Sequence, residues 1–464
     1  MRTPSVLDGK SGARLACLLT IIGTYLSAYA FFPVDPSPRG ALMVSGSVLA
    51  FAIAIVPLLR TLNGKSQAAT NAENFVAVGY IAWLLLDLIQ GAYALNEAKD
   101  ESLRLALIAI GLSAAAMWIG ASMSPWALPR WIADGVNVQL PTETLARAVP
   151  ICFALGMFNF LYSVDFNVPL MFSFIGEQRW AMPWGRAQLG GWGSFRDQMS
   201  YFGYVLPSLA ALLIARKGLF NSRSLFAVAC SLVMLVFLST GGGRRIVAVA
   251  AGSGLVVWVQ ATGGLRMRNI AIVVVGAVLL ATAAQFMLNI RTRGYAYYTA
   301  TASSDDDYLH VDDNFLRLAQ VIELVPLRRP FVEYQQLIFT LVRPIPRVFW
   351  PGKPVDAGFD LPTEVGLKGV SLSTSILGEW YISYGWFTII VGGWLHGRLA
   401  STANSLRELG HKTGNPIVYA MAVMVLLAGM RSMQDLVLMS YALVAWWAVS
   451  RYVSTGQLLP AHRL

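Results

Sequence analysis

The sequence predicts an all-α, polytopic membrane protein, and three observations carry that prediction. Hydrophobic residues make up 56% of the 464-residue chain and charged residues only 13%, about half the charged fraction of an ordinary soluble protein. Twelve apolar stretches run through the chain, each near the roughly 20 residues that a helix needs to cross a bilayer. The alternating ten-residue segments of a membrane barrel are missing from the sequence, and helices satisfy their own backbone hydrogen bonds in lipid.

In chain order, the expected spans are 15–32, 41–59, 75–95, 103–123, 147–165, 198–215, 224–240, 246–262, 269–289, 374–395, 415–431 and 433–450. The first follows Arg2, Lys10 and Arg14 and ends near Ala28-Tyr29-Ala30, which has the form of a signal-cleavage site. Its apolar run is longer than a signal core, so it reads as a retained span. Basic residues gather in alternate short connections: Arg60 and Lys65, then Arg216, Lys217 and Arg223, then Arg266 and Arg268, then Arg398, Arg407 and Lys412. That bias predicts two cytoplasmic termini and outward-facing segments at 166–197, 241–245 and 290–372. Three regions result: a nine-helix region over 1–289, a large outer loop over 290–373 with a partial or re-entrant segment, and a three-helix region over 374–464.

Cys17, Cys152 and Cys230 all lie in apolar stretches, which fits neither a disulfide framework nor a zinc site. The net charge of +10 suits anionic lipid surfaces or a polyanionic lipid substrate and gives no reason to invoke nucleic acid.

Chemistry-bearing residues concentrate in the outward segments. The loop at 166–197 mixes Trp180, Trp184 and Trp192 with Arg179 and Arg196. The tryptophans are interfacial anchors or flat faces for sugar rings, and the sequence does not separate the two. Ser239-Thr240-Gly241-Gly242-Gly243-Arg244-Arg245 is a tight turn into a helix N-terminus, where amides and guanidinium groups together suit phosphate. Snorkelling arginines are the competing account. Arg291-Thr292-Arg293 follows directly on a span, at the depth of a lipid pyrophosphate. The acidic run from Asp305 to Asp313 lacks calcium-loop spacing and reads as a solvated loop. From Leu337 the chain is moderately apolar, but Pro344, Pro346, Pro351 and Pro354 prevent a span. They leave Arg343, Arg347, Trp350 and Lys353 on a partial segment, tolerated at membrane depth where it lines a cavity.

Taken together, Gly242-Gly243-Arg244-Arg245, Arg291 to Gly294, Pro346-Arg347 with Trp350 to Pro354, and Gly378-Glu379-Trp380-Tyr381 running to Trp386 resemble the O-antigen polymerase family. These are the oligosaccharide repeat-unit polymerases of bacterial envelopes. The resemblance covers roughly 170–400. It implies a GT-C-like, metal-independent glycosyltransferase without cofactor at the periplasmic face of the bacterial inner membrane. Donor and acceptor would both be undecaprenyl-pyrophosphate-linked oligosaccharides, and a chain-length regulator is a further implied partner. Without a metal, a leaving pyrophosphate needs arginines. Arg244, Arg245, Arg291, Arg293, Arg343, Arg347 and Lys353 are the candidates, with Arg196, Trp350 and Tyr381 as further substrate contacts. The acceptor hydroxyl needs a base. Glu379 is the first candidate, with a structural arginine partner as its competing role, and His310 is the second. His396 falls toward the cytoplasmic end of its helix. An O-antigen ligase would use the same arginines and favour a histidine. Asp87, an ionisable group within a span, keeps a flippase or secondary transporter open, although no internal repeat supports one.

Overall fold

The computed structural model describes residues 9–62, 70–178, 181–184, 193–240, 243–264, 267–291, 309, 312–343, 345, 347–354, 356–367 and 372–454. Among them the regular elements are helical and no strand is found. Among the described residues nine helices are long and apolar enough to cross a membrane: α1 Gly9–Ala30, α2 Met43–Leu62, α3 Ala72–Ile89, α4 Asp100–Ser122, α5 Thr142–Tyr162, α6 Phe195–Lys217, α7 Ser222–Thr240, the window Arg268–Met287, and Met433–Val453. The chain is therefore a multi-pass membrane protein.

Three other expected spans form helices of different character. α8 covers Arg244–Ala261, and α9, which contains the Arg268 window, covers Met267–Arg291. The stretch expected as one span at 374–395 is two helices. Between the loop helices α10 (Asn314–Leu324), α11 (Gln335–Val342) and α12 (Leu361–Glu364) and the end of the chain come α13 (Ser375–Tyr384), α14 (Trp386–Thr413), α15 (Ile417–Gly429) and α16 (Met433–Val453). Gly385 separates α13 from α14 at φ +64° and ψ −137°, a conformation essentially reserved for glycine. The apolar pattern ran straight through this glycine, which is why the sequence suggested one helix. Trp380 of α13 packs on His396 of α14 with ring centroids 5.6 Å apart, so the two helices fold back on each other.

Packing sorts the bundle into two groups. α1, α2, α3, α4 and α14 pack together, and α5, α6, α7 and α8 form the second group, with α9 against α8. α15 lies between them, touching α3, α14 and α8. It is apolar all round and buried along nearly its whole length, as a central helix must be. α4 and α14 approach closely because Gly393 and Gly397 leave no side chain between them; a Cβ at either would collide with the backbone of Ser113 or Met117. This is the small-residue spacing that membrane helices use for intimate contact.

The near face of the bundle, where α1 begins, is tied by polar contacts. Arg60 is 1% exposed and bonds Glu73 at 3.1 Å. Arg407 bonds Asn71 at 2.8 Å, and Arg216 bonds the Gly414 carbonyl at 2.7 Å. α16 ends on the same face, with Trp446 bonding Asn415 at 3.3 Å.

Candidate functional site

The helices end unevenly at the far face. α15, with 13 residues, is about 20 Å long, whereas α14, with 28, is about 42 Å long. The turn Met430–Ser432 is therefore recessed between longer helices. Ser432 caps α16 by accepting from the Asp435 amide at 3.0 Å, the usual role of serine at that position.

Ions from four segments gather at this recess. Arg431, in the turn, pairs with Asp312 from the loop before α10 and with Asp435 at 3.2 Å. Arg244, at the start of α8, reaches Asp312 at 3.3 Å, and Arg245 reaches Asp435 at 3.1 Å. The resulting chain runs Arg244–Asp312–Arg431–Asp435–Arg245, three guanidinium groups against two carboxylates. Asp435 is the most enclosed member, with its side chain 5% exposed, while Arg244 and Arg431 keep 17% and 22%. Arg343, the residue after α11, adds a further positive charge. With the Gln434 amide oriented to accept, its Nε and Nη2 donate to Gln434 at 3.1 and 3.2 Å. The N-terminal end of α8, which begins at Arg244, adds the positive end of a helix dipole to the same region.

Glu379 of α13, a helix too short to span, closes the site from a fifth segment. Its Oε2 accepts from the Met433 amide. Burial is the main influence on this carboxyl and, against the opposing pull of the Met433 amide, pushes it up to about 8. Its carboxyl therefore holds its proton to higher pH than an ordinary glutamate does. α13 begins with Ser375 buried in the left-handed region at φ +61°, and the Ile376 amide bonds the Met430 carbonyl at 3.4 Å. The strained start of α13 is thus fastened to the turn that carries Arg431.

The structure brings together Arg244, Arg245, Arg343 and Glu379 of the sequence-derived candidates. The others lie elsewhere or fall outside the described region. Arg347 donates to the carbonyls of Pro351 and Pro354 at 3.3 and 3.4 Å, and the Lys353 amine donates to those of Arg343 and Ile345 at 2.9 and 2.8 Å. Both cations thereby fold the proline-rich loop on itself and position Arg343. Burial, reinforced by Arg347 and Arg343, lowers the Lys353 ammonium below its usual range. Trp350 lies on the same loop, 40% exposed. Tyr381 is buried against Trp386 and Phe331 at ring distances of 5.7 and 6.4 Å, on the other side of α13. Arg196 pairs with Asp197 at 3.3 Å and lies 5.5 Å from the Tyr162 ring. The Arg291 side chain, Arg293 and His310 lie outside the described residues. Trp184 donates to Thr240 at 3.0 Å within an aromatic cluster with Phe160, Phe174 and Phe237, so it braces the end of α7.

Arg431, Asp435 and Gln434 were missed. They lie at the adjoining ends of the expected spans 415–431 and 433–450, and charged residues there were the available signal. Asp312 was read as part of a solvated acidic run, yet it is the bridging carboxylate of the site. Compared with known proteins, the chain matches no family model, no curated protein and no solved structure.

Proposed function

We propose that the recess is a glycosyl-transfer site and that the protein polymerises undecaprenyl-pyrophosphate-linked oligosaccharide repeat units at the periplasmic face of the bacterial inner membrane. The observation that carries the reading is the convergence of Arg244, Arg245, Arg343 and Arg431 with one carboxyl, Glu379, from separate segments of the chain. Two aspartates hold three of these arginines in place, and among the described residues the guanidinium groups of the site outnumber its aspartates. Pre-positioned guanidinium groups are what a departing pyrophosphate requires when no metal neutralises it. In this reading the acceptor hydroxyl oxygen bonds to the donor's anomeric carbon as the bond from that carbon to the pyrophosphate oxygen breaks. The hydroxyl proton passes to Glu379, and the electron pair leaves with the lipid pyrophosphate. The resemblance set out from the sequence supplies the substrate class, along with a twelve-span, GT-C-like architecture.

Purified protein incubated with the host's lipid-linked repeat unit, with no lipid A core present, is expected to give a ladder spaced by one repeat. A product formed only after the core is added identifies a ligase instead. Asp87, buried within the spanning helix α3, also favours a second reading, because ionisable groups inside a span mark transport pathways. Lipid-linked substrate crossing proteoliposomes with no ladder would establish that one.

A further inference from the structure

A groove lies beside the charged recess on the far face. It consists of two open clefts of ≈ 490 Å³ and ≈ 560 Å³ that share Glu364, each within the 300–1,000 Å³ typical of small-molecule sites. The first cleft starts at Arg317, which pairs with Asp313, the neighbour of Asp312 in the recess. Arg317 is 7% exposed and also bonds Glu97 at 3.1 Å and Gln320 at 2.8 Å, while its buried Nε has no partner. The second cleft carries the rings of Phe331 and Phe359 beside Gln335 and Asp356.

Its chemistry differs from that of the recess. Of the carboxylates along the groove, Glu364 pairs with Arg329 at 2.8 Å and Glu323 with Lys99 at 3.3 Å, while Asp356 and Asp360 accept from the Gln335 carboxamide and from backbone amides. Among the described residues no excess of positive charge waits there for a phosphate. Instead the groove alternates acceptors, donors and flat apolar faces, which fits a polyhydroxylated chain whose ring edges bond and whose ring faces stack. Gly358, at φ +82°, shapes the turn; a Cβ there would strike the Gln335 carboxamide at 2.7 Å.

We infer that this groove, from Arg317 past Glu364 to Phe359, binds the saccharide part of the substrate while the recess holds its pyrophosphate. The inference rests on the glycosyl-transfer reading of the recess, and the test separates the two. Wild-type protein in lipid nanodiscs is titrated with the free oligosaccharide released from the host's lipid-linked repeat unit, and separately with undecaprenyl pyrophosphate, with ligand-observed NMR as readout. Gln335→Ala and Phe359→Ala are each expected to weaken the oligosaccharide at least tenfold and to leave undecaprenyl pyrophosphate binding unchanged, which also shows that the variants are folded. Wild-type protein that does not bind the free oligosaccharide, or variants that bind it like wild type, would overturn the inference. A ladder formed by protein whose variants bind normally removes the groove and keeps glycosyl transfer. Binding lost in the variants, with no ladder from wild type, removes glycosyl transfer and keeps the groove.

Discussion

A general base must be deprotonated to act, and burial holds the Glu379 carboxyl up at about 8. The carboxylate fraction, and with it the rate, is therefore expected to rise with pH and to level off above about 8, the reverse of what protonation of the base would give. Glu379→Gln should cost about 10²–10⁴ in rate and flatten that limb of the pH profile. A variant that keeps both the rate and the profile would reduce Glu379 to a partner of the Met433 amide. Arg343 tests the anion side of the recess. Its two bonds to Gln434 fix a planar group, which lysine cannot copy. Arg343→Ala is expected to lower the rate about 10²–10³-fold, and Arg343→Lys should recover only part of it; full activity in the alanine variant would discard the arginine cradle. Asp435 is structural by contrast. Asp435→Asn leaves Arg245 and Arg431 facing each other without their shared counter-charge, at a cost of about 3 kcal/mol, the lower end for a broken buried pair because Arg245 reaches solvent. Adding Arg431→Gln should return part of the lost thermal stability, and a simple sum of the two losses would argue against coupling.

The α13–α14 hairpin depends on one backbone conformation. Gly385→Ala forces a Cβ into a region that costs about 1–3 kcal/mol for other residues, so the melting temperature in detergent is expected to fall. Gly352→Ala, where the only neighbour of a new Cβ is the Trp350 indole at 3.9 Å, should leave it unchanged. This break also marks the limit of what the sequence shows. Spans such as α2 and α4 were legible because composition alone dictates a lipid-facing helix, and their observed bounds lie within a few residues of the expectation. The α13–α14 interruption was not, since it lies inside an apolar run and is set by tertiary packing, whereas the α15–α16 break falls where the spans 415–431 and 433–450 were expected to part. The site was half legible for the same reason. Arg244, Arg245 and Arg343 stood out as cations beside glycine or proline, whereas Arg431 and Asp435 fell at the adjoining ends of the expected spans 415–431 and 433–450. Asp312 gains its role only from arginines 68 and 119 residues away in sequence.

Across the molecule, opposite ends carry different kinds of polar structure. At the near face Arg60, Arg216 and Arg407 are tied to backbone carbonyls or to Glu73 and Asn71, which locks helix ends together. The far face holds the recess and the groove, where Arg244 and Arg431 stay partly exposed. The expectation that the near face is cytoplasmic rests on the charge bias in the short connections, and the proposed use of a lipid-linked oligosaccharide delivered to the periplasm requires the far face to be outside. Two exposed positions test that assignment: Leu327, 81% exposed beyond α10, and Phe220, 89% exposed between α6 and α7. A membrane-impermeant maleimide should label Leu327→Cys in spheroplasts with an intact inner membrane and Phe220→Cys only after the membrane is opened; Cys17, Cys152 and Cys230 all lie within spanning helices. The reverse pattern would turn the recess toward the cytoplasm, where nucleotide-activated sugars rather than flipped lipid-linked repeats are the available donors. Polymerisation of flipped repeat units would then be untenable, whatever the arginines bind.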